Sequence, residues 1–253
     1  MRLISKKSLN ISNTFDMSEK KCGIILIHGW AISFPTGLLT KSFVTSSMFG
    51  LGLQNCIIKE PKAPKQPLSV IPLSSKAQAL GLNLTRSWFD FNDLPSVCVN
   101  SEDGAESKEG LQEALGWVEK EIKDLIDCGV PSSNIIILGY SQGGALTLYT
   151  AVHTKYKLGG FIPFATWLPL LRAEPITAAR TPINKHTPIL QLHGYLDTVV
   201  PYTPAATMTN IEMNKVFSNY QFEIIALADH FTTLNPVTIP LIRRWITDNV
   251  QFS

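Results

Sequence analysis

The chain has 253 residues, of which 45% are hydrophobic and 17% charged, and its formal net charge is +2. This composition is typical of a globular protein with a large core and excludes a disordered or fibrous chain. Because 22 basic residues are nearly balanced by 20 acidic ones and no basic run occurs, nucleic acid is not expected as a partner.

Three features of the sequence predict where the protein acts. No apolar stretch approaches the length of a membrane span, so any membrane contact is expected to be peripheral at most. The N-terminus lacks the apolar core of a secretory signal. Four cysteines lie far apart with no CxxC pair, which predicts reduced thiols and neither a disulfide framework nor a zinc site: Cys22, Cys56, Cys98 and Cys128. We therefore expect a cytoplasmic protein.

In chain order, residues 1–20 are polar and irregular and predict a flexible tail, while residues 21–253 are expected to form one domain. Short apolar runs predict buried strands at residues 23–27, 135–138, 161–164, 189–193 and 222–227. Apolar residues at helical spacing predict helices at residues 108–128, 142–155 and 239–249. This alternation predicts an α/β fold with a mostly parallel central sheet and helices on both faces.

The segment at residues 59–106 does not fit this alternation. It holds seven of the chain's prolines and glycines, and it carries Trp88, Phe89 and Phe91 among polar residues. Because long irregular segments in compact domains are usually functional or loosely ordered, we expect a loop wall over the substrate site.

The sharpest motif is G-x-S-x-G, which is Gly139-Tyr140-Ser141-Gln142-Gly143 between a predicted strand and a predicted helix. A serine at the tip of such a turn has strained backbone geometry, and side chains two residues away would collide. The helix N-terminus that follows favours developing negative charge. The motif therefore predicts Ser141 as the nucleophile of an α/β-hydrolase; the alternative is a glycine-rich turn with an incidental serine.

A nucleophilic serine needs a histidine base and an acid that orients it, in the chain order serine, acid, histidine. His230 follows the last predicted strand, and Asp197 follows the strand before it, at the edge where open α/β sheets bind ligands. Asp229 competes as the acid, although adjacent side chains usually diverge. We predict a triad of Ser141, Asp197 and His230; the alternatives are an exposed loop histidine and a turn-capping carboxylate. Three other histidines after the serine fit this role less well: His153, His186 and His193.

Backbone N–H groups must stabilise the oxyanion that forms when the serine attacks. One is expected from Gln142, the residue after the nucleophile. The other is expected from Trp30, in the loop that follows the first predicted strand.

The sequence resembles the acyl-protein thioesterases, within the phospholipase/carboxylesterase group of α/β-hydrolases. The resemblance runs from about Gly23 to the C-terminal helix. The blocks that carry it are residues 135–149, Ser87-Trp88-Phe89-Asp90, Trp167-Leu168-Pro169 and residues 194–201. The chain departs from the family pattern at Trp30, where a leucine is usual, and at Tyr195, where an aspartate is usual.

The resemblance implies a small hydrolase without a large lid domain, which cleaves fatty acyl thioesters from protein cysteines and often short esters or lysophospholipids. It implies the same triad and oxyanion donors. It also implies that Trp88, Trp167 and Leu168 border an acyl-binding groove. From the residues alone, these side chains fit either an exposed substrate surface or anchors of the core.

Three hypotheses for the function follow. The first is an acyl thioesterase acting on S-acylated proteins. The second is a general carboxylesterase or lysophospholipase acting on small acyl esters, which the same triad chemistry would serve. The third is a non-catalytic homologue that binds an acyl group or a partner. Because the histidines are dispersed and no dinucleotide fingerprint follows a strand, we expect no metal and no organic cofactor.

Overall fold

Strands and helices alternate in a computed structural model of the chain, which describes residues 21–30, 56–70, 84–93, 105–176 and 182–250. The strands in these residues are β1 (Cys22–Ile27), β2 (Cys56–Lys59), β3 (Lys65–Pro67), β4 (Leu84–Arg86), β5 (Ile135–Tyr140), β6 (Gly160–Phe164), β7 (Ile189–Gly194) and β8 (Tyr220–Ile225). The α-helices in the same ranges are α1 (Lys108–Asp127), α2 (Gln142–His153), α3 (Thr207–Val216) and α4 (Thr238–Asn249). Across these ranges, no helix has the length and apolar character needed to span a membrane. The predicted tail lies outside the described residues.

Six strands form one parallel sheet in the order β2-β1-β5-β6-β7-β8. At its centre, Gly23 of β1 is in register with Ile135 of β5, and Ile27 with Gly139. Strands β3 and β4 form a separate antiparallel pair. Because the carboxyl ends of parallel strands meet at one edge, the residues after β1, β5, β7 and β8 can converge there. The predicted α/β fold with a mostly parallel sheet is confirmed.

The two faces of the sheet bury different side chains, because successive residues of a strand point in opposite directions. In β1, Ile25 and Ile27 belong to one buried cluster, together with apolar residues of α1, α2 and α3. Ile24 and Leu26 belong to a second cluster, which contains Trp245 of α4. Helices therefore cover both faces of the sheet, as its near-continuous apolar strands predict.

Helix α1 shows how local sequence sets the boundaries of an element. The Oγ of Ser107 caps its first turn by accepting a hydrogen bond from the backbone N–H of Gly110 at 3.0 Å. Just beyond its last turn, Gly129 has φ +84°, which glycine adopts without strain. One face of the helix is buried along its length: Leu111, Ala114, Val118, Ile122 and Leu125. These boundaries lie within one residue of the prediction.

Four elements were absent from the sequence prediction, and one strand is displaced. Strand β2 has an apolar run of only three residues, Cys56-Ile57-Ile58, and the short strands β3 and β4 are mostly polar, so none of them shows the longer apolar run that marks a buried strand. Helix α3 buries Thr209 and Met213 and shows weak apolar periodicity. Strand β8 begins and ends two residues before the predicted strand at 222–227. The β3–β4 pair lies inside the expected loop wall, of which residues 71–83 and 94–104 are outside the described residues.

The prediction of reduced cysteines is wrong for two of the four. A disulfide joins Cys22 of β1 to Cys56 of β2, and their Cα atoms are 4.5 Å apart. The two residues are register partners, so parallel pairing brings them together across a sequence separation of 34. Cys128 is free and exposed, and Cys98 lies outside the described residues. Because disulfides persist mainly in oxidising compartments, the cysteines do not support a cytoplasmic location.

Candidate active site

Ser141 lies at the turn between β5 and α2, at the carboxyl edge of the sheet. Its backbone has φ 54° and ψ −119°, a strained conformation for a residue with a side chain. The N–H of Ser141 donates to the carbonyl of Phe164 at 3.0 Å, and Thr166 Oγ1 donates to the carbonyl of Ser141 at 2.8 Å. These two hydrogen bonds hold the strained turn on strand β6 and on the residues that follow it.

Close packing around the turn explains both glycines of the motif. A Cβ atom on Gly139 would overlap the hydroxyl of Thr147 and the carbonyl oxygen of Gly143. A Cβ atom on Gly143 would overlap the carbonyl oxygen of Ile27. Because these neighbours belong to α2 and β1, a larger residue at either position would displace the serine between them.

The structure brings Ser141, Asp197 and His230 together from three separate loops. The Nε2 atom of His230 is 3.1 Å from Ser141 Oγ, and its Nδ1 atom is 2.8 Å from Asp197 Oδ2. A carboxylate can only accept, so Nδ1 carries the proton and Nε2 accepts a hydrogen bond from the serine hydroxyl. Asp197 and His230 are buried. The three side chains have the geometry of a nucleophile, a base and an orienting acid.

The loop after β7 holds the carboxylate of Asp197 in place. Its Oδ1 accepts hydrogen bonds from the backbone N–H groups of Val199 and Val200, at 2.9 and 2.8 Å. His193, at the end of β7, lies with Nε2 3.5 Å from Asp197 Oδ2 and donates to the carbonyl of Val200 at 2.8 Å. Burial lowers the pKa of His193. Burial therefore favours the neutral form of His193, although the nearby charge of Asp197 acts in the opposite direction.

The competing acid, Asp229, is engaged within its own turn. Its Oδ1 accepts from the hydroxyl of Thr232 at 2.7 Å and from the backbone N–H groups of Phe231 and Thr232, each at 2.9 Å. The hydrogen bond from the Thr232 hydroxyl is the main reason why the pKa of Asp229 lies below its usual value. Asp229 thus caps its own turn, and this is the alternative role that the sequence leaves open for Asp197.

Two of the other histidines have partners outside the triad. His153, at the end of α2, contacts the ring of Tyr149 at a tilt of 36°, with 4.2 Å between ring centroids. His186 is exposed, and its Nδ1 is 2.7 Å from the hydroxyl of Ser218.

Gln142, the residue after the nucleophile, has a buried side chain with three hydrogen bonds to one segment. Its Oε1 accepts from the backbone N–H of Trp88 at 3.0 Å. Its Nε2 donates to Ser87 Oγ and to the carbonyl of Phe89, each at 2.8 Å. The first turn of α2, which carries a predicted oxyanion donor, is therefore fixed to residues 87–89.

The loop after β1 is fixed to neighbouring residues in the same way. Trp88 Nε1 donates to the carbonyl of His28 at 2.7 Å, and the N–H of Ala63 donates to His28 Nε2 at 3.0 Å. Burial lowers the pKa of His28 to about 4, so its ring is neutral, and Nδ1 donates to the carbonyl of Gly29 at 2.6 Å. The loop that carries the second predicted oxyanion donor is thus joined to Trp88 and Ala63 by two hydrogen bonds and has one internal hydrogen bond.

The residues predicted to touch substrate differ in their exposure. Trp30 is 39% exposed, whereas Trp88 and Trp167 are 1% and 2% exposed. Trp167 Nε1 donates to Glu106 Oε1 at 2.7 Å, and Leu168 is also buried. Trp88, Trp167 and Leu168 all belong to the buried apolar core, which is the alternative role that the residues alone leave open, and their acyl-binding role stays a prediction.

Three residues that contact the predicted triad or the loop after β1 were not among the predicted site residues: Tyr140, His193 and His28. The hydroxyl of Tyr140 donates to the carbonyl of His230 at 3.0 Å. Its position inside the motif is the one sequence signal that could have drawn attention to it. The described residues contain no group of three or more His, Cys, Asp or Glu side chains placed to hold a metal ion.

A parallel sheet with a serine on a strained strand-to-helix turn, faced by a histidine and an acid from later strand ends, defines the α/β-hydrolase class. A family model described as phospholipase/carboxylesterase matches residues 48–235. Acyl-protein thioesterase 1 of Yarrowia lipolytica is 28% identical over 195 residues, which cover 76% of this chain and 77% of that protein.

Two solved structures share the fold. Arabidopsis thaliana SOBER1 has a TM-score of 0.74 at 24% identity and covers 90% of this chain and 99% of its own. Zea mays acyl-protein thioesterase 2 has a TM-score of 0.64 at 25% identity, and the match covers 91% of this chain and 94% of that protein. The chain therefore belongs to the phospholipase/carboxylesterase family of α/β-hydrolases and is a serine hydrolase.

Proposed function

We propose that the protein hydrolyses fatty acyl thioesters on protein cysteines and also accepts small acyl esters. The observation that carries the proposal is the series of hydrogen bonds that joins Ser141, on its strained turn, to His230 and His230 to Asp197. The name of the Yarrowia lipolytica relative, acyl-protein thioesterase 1, supports the substrate class. S-acylated proteins are then the substrates, and the chemistry uses no metal or organic cofactor.

In the proposed mechanism, Ser141 Oγ attacks the thioester carbonyl carbon while His230 Nε2 takes the hydroxyl proton and Asp197 stabilises the imidazolium. Backbone N–H groups of Gln142 and Trp30 bind the oxyanion. The carbon–sulfur bond breaks, the leaving sulfur takes the proton from His230, and the acyl group stays on Ser141. Water then attacks this ester with His230 as base, which releases the fatty acid and the free serine.

In this proposal, the acyl chain contacts apolar side chains next to the triad. Phe231 is 44% exposed, and its ring lies edge-on to that of His230 with 5.3 Å between centroids. Two more apolar side chains are exposed: that of Trp30, which lies in the loop after β1 and carries a proposed oxyanion donor, and that of Leu196, which precedes Asp197. Exposed apolar side chains beside a reactive group suit an apolar substrate. Three buried residues carried over from the family resemblance would pack beneath this acyl site rather than form its exposed surface: Trp88, Trp167 and Leu168.

The test is hydrolysis of matched short- and long-chain acyl thioesters and oxyesters. We expect Ser141→Ala to lower kcat by about 10⁵–10⁶-fold, as for other serine hydrolases that lose the nucleophile. Ser133→Ala is the matched control, because Ser133 is exposed just before β5, at the opposite end of the strand, and its rate should equal that of the wild type.

Equal rates for the wild type and Ser141→Ala would refute Ser141 as the nucleophile. A wild type that turns over oxyesters in preference to thioesters at every chain length would instead identify a general carboxylesterase.

A further inference from the structure

Tyr140 connects the nucleophile's strand to the loop that carries the base. It is the last residue of β5, directly before Ser141, and its side chain is buried. Its hydroxyl is 3.0 Å from the backbone carbonyl oxygen of His230, which lies 90 residues further along the chain. The two rings are also in contact, with 5.2 Å between their centroids.

The hydroxyl of Tyr140 is a permanent donor in this contact. A carbonyl oxygen can only accept, so the tyrosine O–H must donate. Burial raises the pKa of Tyr140 far above its usual value, and the negative charges of Asp197 and Asp229 act in the same direction. The hydroxyl therefore keeps the proton that it donates at pH values at which an exposed tyrosine would begin to ionise.

The loop that carries His230, residues 226–232, which we call the base loop, has a second attachment, to the loop of Asp197. The N–H of Leu196 donates to the carbonyl of Ala228 at 2.9 Å, which ties the loop of Asp197 to that of His230. This attachment and the Nδ1 hydrogen bond position the imidazole relative to Asp197. They do not set its distance from Ser141, which belongs to another strand.

We propose that Tyr140 is a positioning residue for the base. Its hydroxyl holds the backbone of His230 at the distance from Ser141 at which Nε2 can accept a hydrogen bond from the serine Oγ. The proposal rests on the proposed function of the triad. It assigns a role to the residue before the nucleophile that parallels the anchoring of Gln142, the residue after it. Without the hydroxyl, the base loop is held from the acid's side, and the distance from Nε2 to Oγ is less well fixed.

The test compares Tyr140→Phe with Tyr220→Phe, which is the matched control. Tyr220 also has a hydroxyl that donates one partly buried hydrogen bond, from β8 to Gln191 Oε1 of β7 at 2.8 Å, and among the described residues it has no hydrogen bond to the loop of His230. The first readout is the rate at which a fluorophosphonate inactivates the protein. That reaction forms a bond from Ser141 Oγ to phosphorus, expels fluoride and passes the serine proton to His230.

For Tyr140→Phe we expect inactivation and kcat to fall in parallel by about five- to thirtyfold, with KM within about twofold of the wild type. Tyr220→Phe should match the wild type in both rates, and both variants should show similar, small losses of Tm. A Tyr140→Phe variant with wild-type inactivation and kcat would overturn the proposal. Equal rate losses in the two variants would also overturn it, since the effect would then come from stability alone.

The fluorophosphonate readout separates this proposal from the proposed function. If the wild type is labelled at Ser141 but hydrolyses no thioester or ester, the substrate assignment fails, and the inactivation rates still decide the role of Tyr140. If the wild type is not labelled at all, the triad assignment and the role of Tyr140 fail together.

Discussion

Asp197 and Asp229 carry the same carboxylate, but their surroundings give them different roles. Asp197 is buried, accepts two backbone hydrogen bonds on Oδ1 and presents Oδ2 to His230. Asp229 adjoins His230 in sequence, yet it directs its oxygen to Thr232 in its own turn. At the residue scale, the hydrogen-bond partners of a carboxylate decide its role, and its proximity in sequence does not.

This difference predicts opposite outcomes for two equivalent substitutions. Asp197→Asn should lower kcat by about 10⁴-fold, because a neutral amide neither holds the required tautomer of His230 nor stabilises the imidazolium. Asp229→Asn keeps an acceptor oxygen for the turn and should retain nearly all activity. Steady-state kinetics on one acyl thioester checks both variants, and a larger loss for Asp229→Asn would reverse the assignment of the acid.

At the scale of elements, the site depends on strands that end side by side. In the proposed triad, Ser141 follows β5, Asp197 follows β7 and His230 follows β8, and the sheet order places these ends along one edge. At the side of the sheet opposite to β8, the edge strand is β2, which is short and is joined to β1 by the Cys22–Cys56 disulfide. The edge strand is thus held covalently as well as by its hydrogen bonds.

The disulfide predicts a measurable contribution to stability. A bond that closes a loop of 34 residues restricts the unfolded chain and contributes about 3–4 kcal/mol to the free energy of unfolding. Cys56→Ser should lower the free energy of unfolding by about this amount in urea titrations without reductant. Cys128→Ser, at the exposed free cysteine, is the control and should unfold like the wild type.

Reductant should destabilise the wild type to the level of Cys56→Ser and leave that variant unchanged. If the wild type unfolds at the same urea concentration with and without reductant, the disulfide is not formed in solution.

At the scale of the whole molecule, the fold keeps two histidines neutral inside it. Burial lowers the pKa of His28 to about 4 and also lowers that of His193. In the unfolded chain a histidine takes up its proton near pH 6.5. Between these values the unfolded state binds more protons than the native state, so the free energy of unfolding rises with pH. The stabilisation is complete above about pH 6.5 and is lost as pH falls towards 4.

This linkage predicts that the protein loses stability in mild acid. For His28 the shift corresponds to a loss of about 3 kcal/mol at most between pH 6.5 and 4. Urea unfolding from about pH 7.5 to 4.5 measures the slope. His28→Gln should flatten it, whereas His186→Gln, which changes an exposed histidine, should not. An unchanged slope in His28→Gln would show that His28 is not held neutral by the fold.

The sequence by itself determines the strained turn that carries Ser141 and the parallel type of the sheet. Apolar runs of strand length, apolar residues at helical spacing and the two glycines around Ser141 are local signals, and each acts through the residues next to it. The order of serine, acid and histidine then identified the three side chains that the structure brings within hydrogen-bonding distance. Short, half-exposed elements such as β2 and α3 escaped because they carry no such periodic signal.

The tertiary structure alone decided the contacts that support these residues. Tyr140 donates to a backbone carbonyl, and every residue carries one, so no pattern of side chains could have identified His230 as its partner. The Cys22–Cys56 disulfide depends on the register of two parallel strands, and neither cysteine's local sequence encodes that register. Local sequence sets conformation and burial, whereas partners distant in the chain are chosen by which strands pair and where they end.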